Sequence, residues 1–330
     1  MTGKNSMRTI SAGATALILA AGTAQAAERL SFITTWRAQA EHGGYYQAVA
    51  KGFYQACGVE LVIRQGGPGV DGKQLLVAGA IDMMSGSFNE IALLVNIAGF
   101  PAKAVMAMFQ KNPQILMAHV DGGYNTLADM KDRPIMIGQA SRTTFWPFLR
   151  AKYGFTDAQI RSYTGQIAPF LADRLAIQQA LITNEPHRVE VETGKQPKTF
   201  LLADDGYGAY ASVAIVPQKL IDTKPEAVQC FVNASISGWI DFMKDPAPAV
   251  ALIRKDNPDN PDDVVAYSMK MLKAAGIIET AETAKLGLGT MSDERWRSHS
   301  QMLQEAGIVP KSYDYRQAYT LQFINKRFGM

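Results

Sequence analysis

Between Trp36 and Tyr46 the chain gathers an indole, a carboxylate, an imidazole, two glycines and two phenols. The apolar run Leu30–Thr35 before this stretch reads as a strand, and the Ala-rich, one-sided segment Tyr45–Gln55 after it reads as a helix. Aromatic faces and hydrogen-bonding groups at a strand-to-helix handover are what a small-molecule pocket in an open α/β sheet requires. Trp36, His42 and Tyr45 are therefore candidate ligand contacts, with one of Tyr45 and Tyr46 expected to face a cleft and the other the core.

Three further strand-to-helix turns carry small polar residues. Ser85 and Ser87 flank Gly86, and both are candidates for a polar ligand. Ser141, Arg142, Thr143 and Thr144 follow a strand and precede a helix. Their hydroxyls can cap that helix, and Ser141, Thr143 and Thr144 can also present a helix N-terminus to a ligand. In Thr183-Asn184-Glu185-Pro186-His187 a carboxylate follows an apolar strand and precedes a proline in the first helical turn. The dipole of the helix explains Glu185 in part. A strand-end carboxylate facing a nitrogenous ligand is the sharper reading. Gly67-Pro68-Gly69-Val70-Asp71-Gly72-Lys73-Gln74 satisfies both a dinucleotide fingerprint and most of a phosphate loop. Gln74 stands where the Mg²⁺-binding hydroxyl belongs, and no acidic residue ends the next strand. The stretch is read as a Gly-rich turn at a cleft edge, with Gly67 a candidate backbone contact.

Other chemistries lack their residues. His42, His119, His187 and His299 are scattered without metal-ligand spacing, and no nucleophile elbow occurs. Asp204-Asp205 and Glu190/Glu192 read as surface charge. No catalytic residue, metal or cofactor is expected. Lys4 and Arg8 followed by the small and apolar run Ile10–Ala21 and by Ala24-Gln25-Ala26 form an export leader over residues 1–26. Without Lys4 and Arg8, 31 basic residues face 30 acidic ones, which argues against a nucleic-acid partner. Cys57 and Cys230 can pair in an oxidising compartment, although two inert buried thiols are the favoured reading.

Strand and helix patterns alternate from Leu30 to Phe109, pause at the turn signal Asp121-Gly122-Gly123, and alternate again to Val216. From Pro225 the pattern is almost wholly helical. The fold class expected is α/β, with two lobes of mostly parallel sheet, helices on both faces and a hinged cleft. Residues 27–119 and 213–330 form the first lobe and 120–212 the second.

With these residues in view, the chain resembles the NMT1/THI5-like (SsuA/THI5-like) periplasmic substrate-binding proteins of ABC importers. The resemblance rests on Trp36 with His42 six residues on, on Gly52-Phe53-Tyr54 and Gly58-Val59-Glu60, and on Ala78-Gly79-Ala80-Ile81-Asp82. It continues through Ile177–Ala180, Thr183–Pro186 and Leu201–Tyr207. It implies a type II periplasmic-binding fold and capture of a small ligand by cleft closure. Delivery to an inner-membrane permease by an exported, monomeric protein is implied as well. The branch with Trp and His at the first turn is similar to receptors for thiamine-pyrimidine precursors. Trp36 would then stack on a heteroaromatic ring, Glu185 would accept from its amino group, and Tyr207 joins the candidate site. Relatives that bind sulfonate or nitrate imply the alternative of an oxyanion held by Arg142 and the amides of Thr143 and Thr144. Yeast relatives that synthesise the pyrimidine imply an enzyme with His42 as reactive group. Ala80 and the absence of a Cys-rich run after Leu201 depart from that pattern.

Overall fold

In the computed structural model the described residues are 1–3, 27–67, 69–91 and 99–328. Residues 4–26 of the expected leader lie outside them, as do Pro68 and the helix expected over Phe88–Ala98 beyond Ile91.

Among the described residues, ten strands form two sheets. Glu28–Ile33 (β1), Val59–Arg64 (β2), Met83–Gly86 (β3), Ala102–Phe109 (β4) and Ala211–Pro217 (β10) make the first, in the order β2-β1-β3-β10-β4. Gln114–Ala118 (β5), Ile135–Ile137 (β6), Ile160–Ser162 (β7), Ile177–Leu181 (β8) and Lys198–Leu201 (β9) make the second, in the order β7-β6-β8-β5-β9. The two orders share one topology, and in each sheet a single strand runs against the others: β10 in the first, β5 in the second. Each reversed strand is the one that enters its sheet after the chain crosses between lobes. β3 and most of β4 and β10 are buried on both faces, which explains their unbroken apolar runs.

Because β5 pairs with β8 and β9, the first crossing lies at Gln110–Pro113. The expectation that lobe one runs to residue 119 is corrected accordingly. The Asp121–Gly123 turn lies within the second lobe. The return crossing runs from Leu202 to Tyr210. Arg295, on the Asp293–Glu305 helix, donates to the carbonyls of both crossings, Gln110 O and Gly208 O at 2.8 Å from Nε. Its guanidinium lies 3.9 Å from the centre of the Tyr210 ring.

Helix Gly43–Ala50 packs on the long helix Pro225–Phe242 at unusually close range. A side-chain carbon at Gly238 would overlap the Gly44 carbonyl and lie 2.8 Å from Ala48 Cβ. Carbons at Gly43 and Gly44 would overlap the Phe242 and Trp239 rings. Phe32, Tyr45, Phe231 and Trp239 interlock beneath this crossing. Tyr45 has no exposed surface, and its hydroxyl meets Ser212 at 3.2 Å. Tyr46 is 2% exposed and donates to Asp256 at 2.8 Å. Both phenols are thus buried, because the glycines draw the whole helix into the core. The expected division of Tyr45 and Tyr46 between cleft and core does not occur.

Cys57 and Cys230 form a disulfide with Cα atoms 5.7 Å apart, contrary to the favoured reading of two free thiols. It ties the turn after Tyr54 to the Pro225–Phe242 helix. The C-terminal segment returns to the first sheet, where Tyr319 bridges Ala104 of β4.

Candidate functional site

The turn after β1 is held rigidly. Thr34 Oγ1 donates to the Trp36 carbonyl at 2.6 Å, the Ala38 amide donates to Gln65 Oε1 at 2.7 Å, and Asn257 donates to the Ala38 carbonyl at 2.8 Å. Gly66 permits this, since a side chain there would overlap the Thr34 carbonyl. Gly67 has a φ of +152° and lies beside the Arg37 stem. The Gly-rich stretch thus braces the pocket wall.

From that turn, Glu41 and His42 form a short 3₁₀ segment with Ala40 and are 4% and 2% exposed. Glu41 Oε1 accepts a hydrogen bond from the Thr183 hydroxyl at the end of β8, so the first lobe touches the second through a carboxyl group. Its Oε2 is buried without a partner. Removal from water, with a smaller contribution from the Glu185 charge, pushes the Glu41 carboxyl up to about 7, against the Thr183 hydrogen bond. His42 Nε2 lies 3.3 Å from Thr35 Oγ1, while Nδ1 is buried and unpaired. Burial pulls this imidazole down to about 4 against the opposing effect of the Arg37 carbonyl, so it is neutral at physiological pH.

Across the cleft, Glu185 opens the Glu185–Thr193 helix and is half-buried. Its carboxylate accepts from the Tyr163 hydroxyl and the Leu181 amide, both at 2.8 Å. Burial raises its pKa, and the Leu181 amide, the Tyr163 hydroxyl and Arg188 oppose that rise. Trp36 is half-buried with its indole over Gly165, where a side-chain carbon would lie 3.2 Å from Cζ2. A larger residue there would push the indole away.

A second contact between lobes forms at the β3 and β6 turns. Asn89 Nδ2 donates to the Thr143 and Thr144 carbonyls at 3.0 and 2.8 Å, and Asn89 Oδ1 lies 2.7 Å from His299 Nε2. Ser85 and Ser87 are buried, and neither hydroxyl has a partner. The Ser87 amide donates to Glu90 at 2.7 Å, as in a helix N-terminal turn. Tyr207, 1% exposed, stands between Phe148 of the second lobe and His299 of the first, and its hydroxyl is also unpaired. Ser141 is buried, while Thr143 is exposed and Thr144 half-exposed. The Thr143 and Thr144 amides donate to Ala140 O and Ser141 O, so they are engaged within their own turn.

Trp36 lies against Gly165 of the second lobe, and Glu41, next to His42, meets Thr183, two residues before Glu185. Asn89, two residues after Ser87, meets Thr143 and Thr144, and Tyr207 stands at a separate contact between Phe148 and His299. Tyr45 lies in the core and Gly67 behind the wall. Glu41, Thr183, Tyr163, Asn89 and His299 went unnominated. Glu41 and Thr183 adjoin nominated residues, and their shared contact spans 142 positions, which no local pattern reports. Glu41 Oε2, His42 Nδ1 and the Ser85, Ser87 and Tyr207 hydroxyls are buried without a partner, as are atoms away from this surface such as Trp239 Nε1. Among the described residues no His, Cys, Asp and Glu cluster can hold a metal, and no helix is long and apolar enough to cross a membrane.

Comparison with known proteins agrees with this fold. The riboflavin-binding protein RibY of Chloroflexus aurantiacus is 26% identical over 292 residues, 85% of this chain and 81% of that protein. The periplasmic aliphatic sulphonate binding protein SsuA from Escherichia coli superposes with a TM-score of 0.66 at 15% identity, covering 89% of this chain and 92% of SsuA. The desulfurization enzyme DSZB superposes with a TM-score of 0.59 at 14% identity, covering 91% of this chain and 98% of DSZB. These two share the two-lobed α/β fold with it. The family described as NMT1/THI5 like matches residues 39–249, and the chain belongs to that family.

Proposed function

We propose that this protein is the solute-binding component of an ABC importer and captures a neutral nitrogen heteroaromatic compound between its lobes. The unpartnered Oε2 of Glu41, with the Glu185 carboxylate nearby, carries this reading. A buried carboxyl oxygen without a partner is costly, and an N–H or O–H donor on a ligand relieves that cost. A sulfonate or nitrate would instead be repelled by Glu185 and would find the Thr143 and Thr144 amides already engaged. Trp36 supplies a stacking face once the lobes part from Gly165, and His42, held neutral, contributes a hydrogen bond. The riboflavin named for the RibY relative and the thiamine-pyrimidine precursors of the resembled branch both fit this chemistry, as flat rings edged with N–H groups. Binding free energy would shift an open–closed equilibrium and present the closed form to a membrane permease.

The enzyme reading needs His42 as reactive group. Its burial and its contact with Thr35 support a recognition role instead. Export through the leader over residues 1–26 is supported by the Cys57–Cys230 disulfide, which an oxidising compartment maintains. We take the receptor to act as a monomer.

The test is a thermal-shift panel of riboflavin, an aminopyrimidine, an alkanesulfonate and nitrate. Stabilisation by a nitrogen heterocycle, growing with its concentration, is expected. Stabilisation by the sulfonate or nitrate alone would replace this reading with the oxyanion one.

A further inference from the structure

Glu41 joins the two lobes through Thr183, and its second oxygen is buried with no donor. The Thr183 carbonyl also accepts from Ser268 Oγ at 2.6 Å, on the first-lobe helix Asp262–Ala274 that packs on the Ala40–His42 segment, so Thr183 is held to the first lobe at both its hydroxyl and its carbonyl. Closure therefore delivers Thr183 to one oxygen of Glu41 and strips water from the other. From the second lobe the charged group facing Glu41 is Glu185, whose own charge is partly balanced by Arg188. On its own segment the neighbour is His42, neutral when buried. The Asp262–Ala274 helix contributes the uncharged Ser268 to this contact, and its Asp263 lies 2.9 Å from His187 Nε2 of the second lobe, a separate pair that Glu41→Gln and Glu185→Gln both leave in place. A like charge in front and no cation beside it leave the ionised carboxylate unsupported in the closed form.

We propose that Glu41 is a proton-operated latch between the lobes: protonated, it lets the empty cleft close on Thr183, and ionised, it holds the cleft open until a ligand donor takes Oε2. This rests on the receptor reading above and adds regulation to the same site. The linkage sign follows from the two environments. In the closed form burial moves the carboxyl from the ordinary 4.5 to about 7, whereas in the open form water restores the ordinary value. The closed form thus binds the proton more tightly, and acid favours closure. Above about 7 both forms are ionised and closure loses this support. Between about pH 8.5 and about pH 5 the closed-to-open ratio rises roughly 80-fold at ten-fold per unit of pKa difference.

The experiment is small-angle X-ray scattering of the ligand-stripped full chain across that pH range. Wild type is expected to compact on acidification with a midpoint near neutrality. Glu41→Gln keeps an acceptor for Thr183 without the charge, and is expected to stay compact at every pH. Glu185→Gln removes the facing charge, and is expected to move the wild-type midpoint to lower pH. A wild-type radius of gyration independent of pH, or a Glu41→Gln profile that follows wild type, would overturn the latch. Because no ligand is present, a flat profile leaves ligand capture standing. Failure of the thermal-shift panel, in turn, leaves the pH response to be judged by itself.

Discussion

Gly238→Ala tests whether the site turn is positioned by the helix crossing beneath it. In an unobstructed helix this change is favourable by about 1 kcal/mol, because alanine has the higher helix propensity. Here the new methyl would overlap the Gly44 carbonyl and lie 2.8 Å from Ala48 Cβ and 2.9 Å from Ala48 N. Carbon atoms rest about 3.5–4.0 Å apart, so the Gly43–Ala50 and Pro225–Phe242 helices must separate by about 1 Å. Overpacking of this kind costs about 1–3 kcal/mol. Loosening of the Phe32, Tyr45, Phe231 and Trp239 cluster adds to it. The propensity gain offsets part of this, and the net expectation is a loss of about 1–2 kcal/mol. Since Glu41 and His42 lead directly into the displaced helix, ligand affinity should fall as well. Urea unfolding followed by tryptophan fluorescence measures the first effect, and titration of a ligand found in the thermal-shift panel measures the second. A midpoint equal to or above wild type would refute the close-packing argument, because it would show that the methyl is accommodated.

Three other outcomes are expected. Glu185→Gln should tighten binding of an anionic probe such as an alkanesulfonate relative to a neutral heterocycle, as calorimetry would show, since a cleft carboxylate repels anions. Replacing both Cys57 and Cys230 by serine should cost about 5 kcal/mol in the chain-entropy limit for a crosslink spanning 173 positions, measured by denaturant unfolding. The two buried imidazoles should also cost stability as pH drops from 6.5 toward about 4: His42 is held down to about 4 and His299 to about 3. Glu41, whose carboxyl is raised to about 7, takes up its proton more readily in the folded chain and offsets part of this loss. Both imidazoles are buried neutral, so the unfolded chain takes up protons that the folded one refuses. Each contributes a loss of a few kcal/mol, and His42→Asn should flatten the profile measured by urea melts at stepped pH.

Much of the fold was legible because its strands are covered on both faces and so appear as short apolar runs between glycine and polar turns. Reversal of β5 and β10 was not, because strand direction follows from the crossings and leaves no local pattern. Asp121–Gly123 carries a stronger turn signal than Asn112-Pro113, and the crossing was accordingly expected too late. The same ambiguity affected Gly43 and Gly44. Two glycines beside an imidazole resemble a ligand turn, yet their lack of side chains serves the approach of Trp239 and Phe242. At the site, Trp36, His42 and Glu185 stood out by residue type at strand ends. Glu41 did not, because its importance arises from Thr183, a partner delivered by the second lobe. The disulfide required a spatial fact, the 5.7 Å between Cα atoms, that no cysteine count supplies.

Native mass spectrometry of gently purified protein tests the central claim most directly. A nitrogen heteroaromatic adduct is expected on the wild-type chain, with its occupancy reduced in Trp36→Ala and in Glu185→Gln. A retained sulfonate or nitrate, with occupancy unaffected by Glu185→Gln, would contradict it.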